Sequence, residues 1–278
     1  MKPSLYLTLT FGWGWIFAGT MAALHLPLSP NSLPFAVLAC SVGPAMFAWA
    51  GGILPPLGHV FRRTTMAAWL FPAALAWMII ALCNAVGVAH LDWSGSGMVE
   101  RTLILGGNVD AARETVGSSG VPPAVLGTAK ALVLGLVVFF PLSLAEEVIW
   151  RGVVFKWLRT PWPLFGRWSG AGLWALWCFP LLAISGRLYE VAAYLPFGVV
   201  LTGLRERSGG ILAPALARGT FWAVMGLDAL ALGPSDERWT GPLGGFSFVA
   251  LLILAILAGR WNHARSLGLA ASPTLAEE

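Results

Sequence analysis

Long apolar runs separated by short polar segments make up most of this chain. About eight of these runs have roughly the 18–25 residues that an α-helix needs to cross the hydrocarbon core of a bilayer. The predicted spans are residues 5–24, 33–54, 66–89, 125–158, 168–185, 189–204, 210–232 and 244–261. The pattern therefore predicts an all-α, polytopic integral membrane protein, folded as a helical bundle of about eight transmembrane helices.

Two segments depart from this simple alternation. Residues 90–123 are polar and rich in Gly, Ser and Pro, so we expect an external connector, with a soluble ligand-binding loop as the alternative. The run 125–158 is longer than the membrane requires, and Pro141 is expected to kink it. We divide the chain into N-terminal helices with the polar loop (1–124), a core (125–232), and a last helix with a short tail (233–278).

Composition supports the membrane assignment. The chain is 57% hydrophobic and 11% charged, with a mean hydropathy of +0.75, whereas soluble domains average about 45–50% and about 25%. The net charge of +4 does not indicate nucleic-acid binding, because the basic residues are scattered through short loops. Cys40, Cys83 and Cys178 all lie in apolar runs without a CxxC pair, so no disulfide framework is predicted.

The basic residues predict the orientation. With a cytoplasmic N-terminus, the inside segments hold ten: Lys2, Arg62, Arg63, Lys156, Arg159, Arg167, Arg205, Arg207, Arg260 and Arg265. The outside segments hold five: Arg101, Arg113, Lys130, Arg187 and Arg238. This bias predicts that both termini are cytoplasmic, in a bacterial cytoplasmic (inner) membrane. A cleaved signal peptide is the alternative for the first span, although its apolar part is longer than usual.

Charged residues inside the run 125–158 are the strongest functional signal. Each costs about 2.5–3.5 kcal/mol near the bilayer centre, so such residues usually face the bundle interior and mark a site. Glu147 and Arg151 are four residues apart and can pair on one helix face, whereas Glu146 points about 100° away, towards a cavity. A free glutamate can activate water as a general base if neighbouring helices supply an oxyanion stabiliser and a proton donor.

The motif Glu146-Glu147-x-x-x-Arg151, followed by Gly152, resembles the first motif of a known family. This family is the CAAX prenyl protease and bacteriocin-processing (CPBP, Abi) group of glutamic-type intramembrane proteases. The resemblance implies endopeptidase chemistry, with Glu146 and Glu147 as the catalytic carboxylates. It also implies a membrane-anchored peptide or protein substrate within the lipid bilayer and no cofactor. We expect no metal site, because too few ligands are available.

The second and third family motifs are degenerate. For Phe-x-x-x-His the chain has Trp174 and Cys178, and for His-x-x-x-Asn it has Arg218 and Trp222, after the turn 208–210. A buried thiol without a histidine base is a poor nucleophile, so Cys178 is predicted to fill the core, with a catalytic thiol as the alternative. The chain's histidines are predicted to be ordinary interfacial residues: His25, His59, His90 and His263.

Arg218 is the most informative substitution. A permanent cation cannot act as a base, but it can neutralise a buried carboxylate. We therefore predict a bidentate Arg218–Glu146 pair that prevents Glu146 from acting as a general base. The alternative is an oxyanion donor in an altered but working enzyme. With Glu147, Arg151, Cys178 and Trp222, this pair is predicted to line a cytoplasm-facing cavity.

Three functions are compatible with these residues. The first is an endopeptidase homologue that binds membrane-anchored substrates and is impaired or inactive. The second is a catalytically silent scaffold, chaperone or immunity partner of an active family protease. The third is a transporter that uses Glu146, Glu147 and Arg218 as a coupled ion site, which the lack of an internal repeat disfavours.

Overall fold

The computed structural model describes residues 2–26, 33–53, 55–58, 63–94, 108–118, 120–159, 165–225, 227–233, 235–241 and 243–266. Within these ranges the chain is helical, and its one β contact is an isolated antiparallel bridge between Leu91 and Leu232. The predicted all-α fold is therefore confirmed. His59, residues 95–107 of the polar segment and residues 267–278 of the tail lie outside the described residues.

The helices run in the following order. They are α1 (Pro3–Ala23), α2 (Leu33–Ala50), α3 (Arg63–Ala85), α4 (Val109–Ser118), α5 (Pro123–Arg159), α6 (Gly166–Ile184), α7 (Val191–Ser208), α8 (Leu212–Val224), α9 (Leu227–Ala231), α10 (Glu237–Thr240) and α11 (Gly245–Ser266). A 3₁₀ turn, Leu188–Glu190, joins α6 to α7.

Three described helical stretches are long and apolar enough to cross a membrane. They are Arg63–Ala85, Pro123–Arg159 and Arg238–Gly259, and the shorter Phe35–Ala50 is also apolar. The protein is accordingly an integral membrane helical bundle, while the count of eight spans and the orientation of the termini remain predictions. The predicted span 210–232 is divided into α8 and α9, because Met225 leaves the helical conformation (φ −59°, ψ 120°).

Helix α5 carries the acidic motif and is interrupted by two π-helical segments. The first, Gly135–Phe139, lies just before Pro141. Proline lacks a backbone donor, and π spacing lets a carbonyl pair with the donor five residues on, beyond the proline. The disturbance expected at Pro141 thus takes the form of a π segment. The second, Val148–Val154, begins directly after Glu147 and contains Arg151.

Helix α8 is the buried centre of the bundle and packs against α3, α5 and α7. Glycines let α5 and α8 approach closely: a Cβ on Gly135 would lie 2.7 Å from Thr220 Cα, and one on Gly219 would lie 2.7 Å from the Phe140 nitrogen. Small residues at a helix contact allow backbones to approach in this way. The approach places Arg218, next to Gly219, beside the acidic motif of α5.

The other helices surround this pair. Helix α7 packs between α6 and α11, and α1 and α2 form a unit that covers α5 and α6. Two side chains of α1 hydrogen-bond to α2. The Tyr6 hydroxyl donates to the Pro44 carbonyl (3.1 Å), and Trp13 Nε1 donates to the Ala39 carbonyl (3.0 Å).

Candidate active site

Two carboxylates and two guanidinium groups meet in the interior of the bundle. Glu146, Glu147 and Arg151 come from α5, and Arg218 comes from α8. None is more than 2% exposed. Burying charges is costly unless they are paired and hydrogen-bonded, so the partners of each group decide what the site can do.

Glu147 and Arg151 form the intrahelical ion pair that their spacing predicts. Arg151 Nη1 donates to Glu147 Oε1 at 3.0 Å, and Arg151 Nη2 donates to the Gly198 carbonyl of α7 at 3.4 Å. Its guanidinium carbon also lies 4.3 Å from the Trp174 ring centroid. Within the described part of the chain, Glu147 Oε2 has no hydrogen-bond partner. Arg151 therefore joins α5, α6 and α7 around one carboxylate.

Glu146 is held from two other helices. Its Oε1 accepts a hydrogen bond from Trp174 Nε1 of α6 at 2.5 Å and a longer one from Arg218 Nη2 of α8 at 3.5 Å. The predicted Glu146–Arg218 pair is thus confirmed, but the predicted bidentate geometry is wrong. A single nitrogen of Arg218 reaches the carboxylate, and Arg218 Nε and Nη1 have no hydrogen-bond partner among the described residues.

Aromatic rings supply the rest of the Arg218 environment. The guanidinium carbon lies 4.5 Å from the ring centroid of Trp222, 4.8 Å from Trp174, 5.3 Å from Tyr194 and 5.8 Å from Phe197. We call these four rings the aromatic cage. Sequence reasoning missed Tyr194 and Phe197, whose one signal is a spacing of three residues, which puts both on one side of α7.

The position of Cys178 agrees with a packing role. Cys178 lies one turn after Trp174 on α6 and is 1% exposed. A narrow cleft next to Glu146 is lined by Val37, Leu38, Leu142, Ser143, Glu146 and Trp222, and it is too tight to admit a water molecule. Glu146 and Trp222 are the predicted site residues that line this cleft.

A second contact missed from the sequence fixes Arg151 from the end of α7. Arg205 Nε donates to the Arg151 carbonyl at 2.6 Å, and its guanidinium carbon lies 5.6 Å from the Phe155 ring centroid. The accepting carbonyl belongs to the second π segment, where the regular α-helical bonding pattern is interrupted. Nearby, Arg167 and Arg159 pair with Glu206 at 2.5 Å and 3.6 Å.

Histidines and metal ligands contribute nothing to this geometry in the described residues. His25 and His90 are exposed, and no group of three or more His, Cys, Asp or Glu side chains lies together within the described ranges. That no metal is bound remains a prediction. Among the described residues, the groups that hydrogen-bond to Glu146 are an indole N–H and a guanidinium, both of which only donate hydrogen bonds.

The stretch from Thr128 in α5 to Val224 at the end of α8 holds every residue of this cluster. Residues 128–224 match the family model described as "Type II CAAX prenyl endopeptidase Rce1-like". This stretch of the chain is similar to the CAAX protease family. The resemblance inferred from the Glu-Glu-x-x-x-Arg motif is therefore confirmed. A comparison with curated proteins gives no match.

The matched stretch contains the Glu146-Glu147-x-x-x-Arg151 motif. The matched residues fall inside the predicted core 125–232, whose exact limits stay a prediction. Formally, the cluster contains two negative and two positive charges, so it is balanced. Cys178 and Arg218, which the motif comparison predicts at histidine positions, do not accept a proton from Glu146 as a histidine would.

Proposed function

We propose that this CAAX protease homologue binds membrane-anchored peptides or proteins and has lost most or all of its hydrolytic activity. The observation that carries the proposal is the state of Glu146. Its Oε1 is engaged by two donors, Trp174 Nε1 and Arg218 Nη2, at positions where the family motifs have Phe and His.

The chemical argument concerns proton transfer. A glutamate that activates water needs a group nearby that holds the water and later delivers a proton to the leaving amine. An arginine stays protonated and an indole N–H only donates, so neither replaces a histidine in this step. Loss of a general acid–base group typically lowers a rate by about 10²–10⁴-fold, and the tight cleft beside Glu146 further opposes entry of water.

Binding a peptide requires fewer correctly placed groups than hydrolysing it does. The cleft beside Glu146 combines apolar walls, Val37, Leu38 and Leu142, with the polar side chains of Ser143 and Glu146. The closed cleft has no room even for a water molecule, so a peptide would enter only if α2 moved away from α5 and α8. The walls exposed in this way would suit an apolar peptide whose backbone carries polar groups. A membrane-anchored peptide or an active sister protease would both present that chemistry.

The test is a membrane co-expression assay in which the termini of candidate membrane-anchored peptides are mapped by mass spectrometry. We expect no new termini that depend on Glu146 when the wild-type chain is compared with Glu146→Ala. We also expect the peptides to co-purify with the wild-type chain. The matched control is Glu114→Ala, which removes an exposed carboxylate of α4, away from the site.

Three outcomes separate the possibilities. Termini that appear with the wild-type chain and with Glu114→Ala but vanish with Glu146→Ala would refute the loss of activity. Arg218→His combined with Cys178→His restores the family's histidines, and new cleavage by this variant alone would support the proposal. Retention of a sister protease without cleavage assigns the scaffold role.

A further inference from the structure

Arg218 has an unusual environment for a buried arginine. It is fully buried, its Nη2 donates to Glu146 at 3.5 Å, and the Tyr194 hydroxyl lies within hydrogen-bonding reach of its guanidinium group. Its Nε and Nη1 lack a hydrogen-bond partner within the described residues. Four aromatic rings lie within 6 Å of its guanidinium carbon, although an energetically significant cation–π contact occurs about once per 70–80 residues.

Apart from the Glu146 carboxylate and the Tyr194 hydroxyl, aromatic ring faces take the place of oxygen partners around Arg218. An aromatic face carries negative potential and attracts a cation, and it can also accept an N–H weakly. The cage rings come from three different helices, α6, α7 and α8, which converge on one point. The side chains that surround Arg218 are thus arranged as a receptor for a cation, with Glu146 as its counter-ion.

We propose that the aromatic cage and Glu146 form a binding site for organic cations of the guanidinium class. In the wild-type protein the side chain of Arg218 fills this site. The site differs from the cleft proposed to hold a peptide, whose lining includes Glu146 and Trp222 but not Trp174, Tyr194 or Phe197. The inference holds whether or not the chain cleaves peptides.

The chemistry of the cage selects among cations. Guanidinium is planar, delocalised and weakly hydrated, so it stacks on ring faces with little loss of hydration. Sodium and compact ammonium ions are strongly hydrated and need several oxygen ligands, whereas the described cage provides the Glu146 carboxylate and the Tyr194 hydroxyl. We therefore expect guanidinium or methylguanidinium to occupy an emptied cage, and sodium not to do so.

Arg218→Ala empties the cage and leaves the cluster with an excess negative charge. The experiment measures the melting temperature of the purified full-length chain in detergent, with millimolar guanidinium chloride or with sodium chloride at equal ionic strength. We expect guanidinium to raise the melting temperature of Arg218→Ala by about 3–6 °C, because a ligand that binds only the folded state stabilises it. The wild-type chain, whose cage is filled, is expected to show no rise.

Arg151→Ala is the matched control. It removes the same residue type and the same charge from the same cluster. Among the described residues, Arg151 contacts one ring of the cage, that of Trp174, at 4.3 Å. We expect no comparable rise for this variant. Adding Trp222→Leu or Glu146→Gln to Arg218→Ala is expected to abolish the response to guanidinium.

Three results would overturn the proposal. These are an equal response to sodium, an equal response of Arg151→Ala, and an Arg218→Ala chain that guanidinium does not stabilise. If Arg218→Ala aggregates without ligand, it is purified in guanidinium and then dialysed. Loss of the monodisperse peak only on dialysis supports the site, whereas aggregation in both buffers contradicts it.

Discussion

Replacing Gly219 with alanine tests the close contact that brings Arg218 to the acidic motif. The added Cβ would lie 2.7 Å from the Phe140 nitrogen, 2.8 Å from the Phe139 carbonyl carbon and 2.9 Å from the Gly135 oxygen. All three are backbone atoms of α5, so no flexible side chain can move aside. The two helices must separate, which also pulls Arg218 away from Glu146.

The expected cost follows from two opposing terms. Overpacking a core typically costs about 1–3 kcal/mol, and the upper part of this range applies because backbone must move. Alanine in a helix interior recovers about 1 kcal/mol relative to glycine. We therefore expect Gly219→Ala to lower stability by about 1–2 kcal/mol, which corresponds to a fall in melting temperature of about 2–8 °C for a chain of this size.

Thermal unfolding of the purified protein in detergent measures this effect. Gly12→Ala is the control, because Gly12 is also helical and a Cβ there meets nothing within 4 Å. That variant is expected to be neutral or slightly stabilised. Equal melting temperatures for Gly219→Ala and Gly12→Ala would refute the claim that backbone contact at Gly219 sets the distance between α5 and α8.

Three further changes probe the partners of the buried charges, each by unfolding in detergent. Trp174→Phe removes the indole donor to Glu146 and should cost about 1.5–3 kcal/mol, and an unchanged melting temperature would show that this hydrogen bond is not formed. Arg151→Met should cost about 3–5 kcal/mol because it leaves Glu147 buried without its cation, and adding Glu147→Gln should recover much of that loss; additive effects would contradict the pair. Arg205→Met should cost about 1 kcal/mol by removing the donor to the Arg151 carbonyl, whereas Arg113→Met, at an exposed position of α4, serves as its control.

The ion pairs of the site could be predicted from the sequence because charged residues within apolar runs have few possible partners of opposite charge. Glu147 and Arg151 are neighbours by helical spacing alone. Arg218 is a buried cation in the region where Glu146 needs one, so the pair follows from charge balance. The geometry of the second pair did not follow, because a bidentate contact depends on the direction from which α8 approaches α5.

Other features depend on tertiary packing that no local pattern reports. Trp174 was identified as a motif substitution, but its role as donor to Glu146 depends on how α6 is rotated. Tyr194 and Phe197 belong to a run in which most residues are buried, so no polar face marks them. The end of α8 at Met225 was also missed, since hydrophobicity continues past it into α9.

The formal neutrality of the four-charge cluster has an electrical consequence. A charge that moves across the whole membrane field exchanges about 2.3 kcal/mol per 100 mV with the membrane potential. Two carboxylates and two guanidinium groups that move together exchange none, so the resting voltage exerts no net force on the cluster. A variant that lacks Arg218 would lose this balance and leave a net negative charge on α5, and the position of α5 in the field would then depend on the membrane potential.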